Sequence, residues 1–174
     1  MIEYTVKVYG NGNREWYLNG KLHREDGPAV EESDGYKYWY KNGERHREDG
    51  PAVEWCVGTK EWYLDDKLHR VDGPAVEYYN GDREWYLNDE LHREDGPAVE
   101  YSDGDREWYK NGKLHREDGP ACEYVNGNIE WYINGKYLTE EEFLQMTQKH
   151  TIIIDGQEIS ISAESFNELK KSLN

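Results

Sequence analysis

Hydrophobic positions along this chain recur at a fixed interval instead of gathering into long apolar runs. Tryptophan stands at Trp16, Trp39, Trp62, Trp85, Trp108 and Trp131, always 23 residues apart and without an insertion. Between the tryptophans, apolar and polar residues alternate over short stretches. In Ala98-Val99-Glu100-Tyr101 the valine and tyrosine share one side of an extended chain and Glu100 takes the other, while in Glu107-Trp108-Tyr109 the tryptophan opposes both neighbours. Aromatic and β-branched residues at these places favour strands. Asn-Gly or Asp-Gly pairs follow at Asn19-Gly20, Asp34-Gly35, Asn42-Gly43, Asn80-Gly81, Asp103-Gly104, Asn111-Gly112, Asn126-Gly127 and Asn134-Gly135. They predict tight turns between antiparallel strands, with positive φ at both central positions. The simplest reading is two strands per unit and a looped return, His-Arg-Glu-Asp-Gly-Pro in most copies, where proline interrupts any helix. Such a period means stacked units that bury surface against their neighbours.

Alternation predicts that Val, Trp and Leu point inward. The outer face would then carry two rows of glutamate, one through Glu31, Glu54, Glu77, Glu100 and Glu123, the other through Glu15, Glu61, Glu84, Glu107 and Glu130. Two strands per unit at about 4.8 Å each space equivalent side chains roughly 10 Å apart. The repeat dissolves after Tyr137. Thr139-Glu140-Glu141-Glu142 is a capping-box pattern ahead of Phe143, Leu144 and Met146, predicting a helix near 140–149. Thr151–Ile154 and Glu158–Ser162 alternate around Asp155-Gly156, predicting a hairpin, and Phe166, Leu169 and Leu173 mark a second amphipathic helix. The chain thus divides into a repeat array over 1–137 and an α-β-β-α segment over 138–174 that caps the array or forms a homodimer; Met1–Tyr9 is expected to cap the other end.

Only 36% of residues are hydrophobic and 33% are charged, values that would suit disorder, but seven Trp and fifteen Tyr at fixed repeat positions require burial. The formal charge of −16 disfavours direct binding of nucleic acid or anionic membrane. Cys56 and Cys122 sit at unrelated repeat positions and predict neither a disulfide framework nor a metal knuckle. The first residues, MIEYTVKVYG, lack a basic start ahead of an apolar core, and no run reaches membrane-spanning length, so a soluble cytoplasmic protein is expected.

The sharpest polar motif is His-Arg-x-Asp-Gly-Pro, whose His, Arg, Asp, Gly and Pro never vary from His23 to Pro120 although Leu becomes Arg45 in one unit and Glu becomes Val71 in another. Spacing of roughly 10 Å keeps successive histidines from sharing a metal ion, and no Ser, Thr or Cys accompanies them in register as a nucleophile. No enzyme activity, metal or cofactor is expected. A staple explains the recurrence: Asp accepts backbone N–H groups in the Gly-Pro turn, while His and Arg bond the neighbouring unit's carbonyls or carboxylates. A second reading is a groove in which Arg holds a phosphate and an aromatic ring stacks a base. Repetition fits an elongated partner better than one small ligand, and the irregular third unit, where Trp55 replaces Tyr and Asp65-Asp66 replaces Asn-Gly, is where a binding site is expected, with Trp55, Asp65, Asp66, His69, Arg70, Tyr78, His92 and Arg93 as its candidate residues.

Trp108-Tyr109-Lys110-Asn111-Gly112, then His115, with a second turn at Asp103-Gly104, resembles MORN repeats, which also run 23 residues. Residues 10–136 carry the resemblance. They depart from it by one additional residue between Trp and the Asn-Gly turn, and by Arg-Glu-Asp-Gly-Pro where that family has closely spaced glycines. The resemblance is to divergent members in bacteria, phages and giant viruses. It implies a mainly β, single-layer antiparallel hairpin ribbon or solenoid of six MORN-like units with a small C-terminal α/β cap. It also implies a scaffold that binds a host or self protein, as a phage or mobile-element inhibitor of host defence. Sequestration of a small signalling nucleotide and acidic mimicry of nucleic acid are the alternatives.

Overall fold

A computed structural model describes residues 3–147, 149–155 and 157–172. Among the described residues the array is a long antiparallel sheet of very short strands, fourteen in all, with a row of small hairpins beside it. The sheet runs open from Thr5–Val8 to Lys136–Leu138 in sequence order, so every unit touches only its neighbours. Each interior unit contributes four two-residue strands rather than the two expected. In the third unit, Lys60–Glu61 and Val76–Glu77 lie in the sheet, and Tyr63–Leu64 and Lys67–Leu68 form the hairpin. Trp62 joins the two tracks: its N–H donates to the Ala75 carbonyl and its own carbonyl accepts the His69 N–H.

The two kinds of turn differ, which corrects the uniform expectation of positive φ at both centres. Hairpin turns such as Asn42-Gly43 do have both residues at positive φ. In the sheet turns only the glycine does: Gly35 N–H donates to the Glu32 carbonyl and Glu32 N–H to the Tyr36 carbonyl, a three-residue loop with a glycine bulge. That loop sets the register, and the register reassigns the faces. Val99 lies directly opposite Glu107 and Glu84, and Glu100 opposite Arg106 and Arg83. Directly opposed residues share a face. The glutamate row of Glu15, Glu61, Glu84, Glu107 and Glu130 therefore lies with valine. The row of Glu31, Glu54, Glu77, Glu100 and Glu123 lies on the other face with tryptophan, among cross-strand Lys and Arg. Neither face is uniformly apolar, and the buried material is a thin line of Ala52, Ala75, Ala98, Val53, Val76, Val99 and Cys122.

The invariant motif is a staple, but its parts work differently from the expectation. Each arginine is satisfied inside its own unit. The Arg70 guanidinium lies 4.1 Å from the Trp62 ring and donates to Asp72 at 3.1 Å, to the Pro74 carbonyl at 3.1 Å and to Glu77 at 3.2 Å. The same four contacts recur around Arg24, Arg47, Arg93 and Arg116. Asp26, Asp49, Asp95 and Asp118 accept this guanidinium first, which holds their carboxyls below the ordinary range. The glycine of each motif is required by proximity: a Cβ on Gly50 would meet Arg47 Cζ at 2.8 Å. Histidine makes the junction. His92 Nδ1 lies 2.8 Å from Asn111 Oδ1 in the next hairpin turn and accepts the Asn111 N–H at 3.3 Å. On the other margin, Asp82 and Asp105 accept the N–H groups of Ser102 and Val125 at 2.8 and 2.7 Å.

The sixth unit ends the array by substitution. Leu138 stands where histidine would, Thr139 where arginine would, and Trp131 is covered instead by Phe143, 4.4 Å away between ring centroids. Thr139 and Glu142 form the expected reciprocal capping box at 2.8 and 3.2 Å, opening helix α1 (Glu140–Thr147). Phe143 is buried, whereas Leu144 and Met146 of the same predicted apolar set face outward. The hairpin pairs Lys149–Ile154 with Gln157–Ser162, and helix α2 covers Ala163–Ser172; Gly156 of the predicted turn and Leu173 lie outside the described residues. At the other end Thr5–Val8 forms the edge strand on Arg14–Leu18.

Two substitutions test this account in urea unfolding. Gly50→Ala is expected to cost about 1–3 kcal/mol because the guanidinium it displaces is pinned on four sides. Phe143→Ala, which uncovers Trp131, is expected to cost about 3 kcal/mol. A Gly50→Ala protein as stable as the parent would show that the arginine grip is slack.

Candidate interaction face

With the arginines and the tryptophans they cover occupied on one face of the sheet, the opposite face holds the side chains that remain partly open. There, each glutamate of the valine-side row is flanked by aromatic residues six positions before and two after it. Glu15 accepts the hydroxyls of Tyr9 and Tyr17, both at 2.6 Å. Glu61 accepts Trp55 Nε1–H at 2.7 Å and the Tyr63 hydroxyl at 3.0 Å. Tyr78 donates to Glu84 at 3.2 Å, Tyr109 to Glu107 at 3.0 Å and Tyr132 to Glu130 at 3.0 Å. Strand alternation and register produce this arrangement, since Val53, Trp55, Glu61 and Tyr63 all project to one side. The second unit exchanges the partners, with Glu32 in the aromatic position and Tyr38 in the glutamate position.

Trp55, Tyr78 and Tyr101 are 38, 38 and 39% exposed, an even row of rings along the ribbon. Tyr63, on the same face, is buried against Val53 and Ala52. Burial and the adjoining carboxylates push the hydroxyls of Tyr63 and Tyr78 up to about 12, and raise those of Tyr86, Tyr109 and Tyr124 for the same first reason. Glu15 is lowered by the hydrogen bonds from Tyr17 and Tyr9. The face therefore presents protonated phenols beside a row of carboxylates, a surface of acceptors, negative charge and flat apolar rings.

The eight residues singled out from the sequence do not form one groove. Trp55 and Tyr78 belong to the aromatic face. Arg70 and Arg93 lie on the opposite face, each bonded to two carboxylates and a carbonyl, so neither guanidinium is open to a phosphate. Asp65, Asp66, His69 and His92 hold hairpin junctions. Asp65 meets His46 at 2.7 Å, Asp66 accepts Arg45 Nε–H at 2.6 Å, His69 meets Asn88 at 3.0 Å and His92 meets Asn111. The apparent irregularities keep contacts or add them. Trp55 keeps an aromatic donor to its glutamate, and Asp66, at the glycine position of the turn, accepts the Arg45 backbone N–H, as Asp89 accepts that of Leu68. Sequence reasoning missed the aromatic–glutamate ladder. Its signal was available in the six-before, two-after spacing, above all in the Glu32/Tyr38 exchange.

Among the described residues no group of three or more His, Cys, Asp or Glu side chains could hold a metal ion. None of their helices is long and apolar enough to cross a membrane. Cys56 and Cys122 are free thiols. Compared with known proteins, the chain matches no family model and no curated sequence. What stands is a generic β-repeat ribbon, and the face has to be read from its own chemistry.

The raised tyrosines make a pH prediction. A phenol held above its ordinary value of 10.0 contributes stability that is complete below about pH 10 and lost as pH rises through about 12. The depressed carboxyl of Glu15 contributes above its ordinary 4.5 and loses that contribution as pH falls. The melting temperature should hold level between about pH 5 and 10, then fall together with the appearance of tyrosinate absorbance. Tyrosinate absorbance already at half its final value near pH 10 in a folded protein would show that the ladder is not formed.

Proposed function

We propose that this protein is a non-enzymatic scaffold that binds a partner protein along the aromatic face of its ribbon. The observation that carries the reading is the row of Trp55, Tyr78 and Tyr101 backed by Glu61, Glu84 and Glu107, repeated far beyond what a small ligand would engage. Several weak contacts in register add along an elongated partner. The motif that first suggests phosphate chemistry is used up as internal support. Nucleic-acid mimicry has less support, because one of the two glutamate rows is matched by cross-strand cations. The resemblance to MORN-like repeats of phages and giant viruses supports a host protein as the partner and inhibition of host defence, in the host cytoplasm, as the outcome.

Capture from a host lysate tests this with three baits: the parent, Tyr78→Ser/Tyr101→Ser on the aromatic face, and Lys60→Ser/Arg83→Ser on the opposite face. One protein should be held by the parent and by the opposite-face variant, and about tenfold less by the aromatic variant, a difference near 1.4 kcal/mol. Equal capture by all three baits removes the face. No captured protein, together with a clear rise in melting temperature on adding one nucleotide from a panel, replaces the reading with nucleotide sequestration.

A further inference from the structure

The row of exposed rings has a length scale, and that scale selects a partner. Equivalent side chains on neighbouring units are separated by two strand spacings, about 9.6 Å. An extended β-strand laid along the ribbon returns a side chain to the same side every two residues, about 6.6 Å, out of step with this period. A helix needs seven residues, about 10.5 Å, to bring a side chain back to the same face, and falls out of register by almost 3 Å over three junctions. A polyproline II segment has three residues per turn and advances about 9.3 Å per turn, so it drifts by only about 1 Å over the same distance.

Chemistry agrees with spacing. Polyproline segments dock against aromatic-lined surfaces, where flat rings pack on proline rings and the backbone arrives already ordered. Trp55, Tyr78 and Tyr101 provide such rings at 38–39% exposure. Beside them Glu61, Glu84, Glu107 and Glu130 form an unbroken run, whereas Tyr38 interrupts the row before Glu15. Each of these carboxylates accepts one or two aromatic donors, and a carboxylate offers about four acceptor positions. Capacity remains for one cation at each.

We propose that the aromatic face from Trp55 to Tyr132 binds a proline-rich basic segment in polyproline II conformation, with a Lys or Arg at every third residue. This rests on the reading of the face as a protein-binding surface and names the chemistry of its partner. One cation reaches each of Glu61, Glu84, Glu107 and Glu130, and the intervening prolines pack among the aromatic rings. The matched length is four triplets, set by the four consecutive carboxylates.

Synthetic peptides of repeated Pro-Pro-Arg triplets test the proposal by titration against the full chain. Affinity should climb from two triplets to four and then level off. A peptide with four arginines at every fourth residue, Pro-Pro-Pro-Arg, carries the same charge and should bind about tenfold more weakly. Glu84→Gln/Glu107→Gln, checked for an unchanged circular dichroism spectrum, should lose about tenfold toward the matched peptide, and Tyr78→Ser/Tyr101→Ser should do likewise even at high salt. Equal binding of the two peptide spacings overturns the proposal, because charge alone then accounts for the affinity. So does unchanged binding of the matched peptide by both variants. If no triplet peptide binds while lysate capture still depends on Tyr78 and Tyr101, the proline-rich partner is wrong and the protein-binding face stands.

Discussion

Everything in the array depends on a guanidinium held over an indole, once in each of five units. A 23-residue unit is too short to enclose a core, and its apolar residues fill only a thin line between the faces. The arginine closes what the apolar residues leave open. Its planar, weakly hydrated head covers the tryptophan while its N–H groups reach an aspartate, a glutamate and the proline carbonyl. Lysine, a compact and strongly hydrated charge, could not cover the ring and reach all three partners at once. The five invariant residues of the motif thus have five separate reasons. Arginine stacks, aspartate orients it, glycine leaves it room, proline with its fixed φ holds the chain where its carbonyl meets the guanidinium, and histidine leaves the unit to hold the next.

Much of this was legible in the sequence. The unbroken spacing of Trp16 to Trp131 gives the stacking, the Asn-Gly pairs give the hairpins, and Thr139 with Glu142 gives the start of α1. The faces were not legible, for a definite reason. Alternation relates Val99 to Tyr101 within one strand, but only the turn decides what stands across from Val99. The glycine bulge at Gly104 sets that register and puts Glu107 there. A rule that sends valine and tryptophan inward together fails once the register is known. The contacts of the irregular positions were not legible either. Trp55 keeps the donor to its glutamate and Asp65 the contact with the preceding histidine, while Asp66 adds a partner for Arg45.

The exchange of Glu32 and Tyr38 shows what is constrained on the aromatic face. Neither position demands a particular residue. The two positions together supply one aromatic ring and one carboxylate, and in the exchanged unit the Tyr38 hydroxyl is raised first by burial and then by the charge of Glu32. The same logic explains the partnership of Arg45 with Asp66 in the turn of the next hairpin. In both cases a change at one site has its answer 6 or 21 residues away, inside one chain.

A ribbon whose junctions are all alike has no natural length. Each unit offers the next the same histidine and the same carbonyls, and a further unit, or the first unit of another molecule, would meet the same welcome. Leu138 and α1 end that open invitation. Leu138 stands where the junction histidine would and its strand folds back on Trp131, while α1 lays Phe143 over that indole, so the last repeat has no histidine left to offer and a periodic object becomes a countable one.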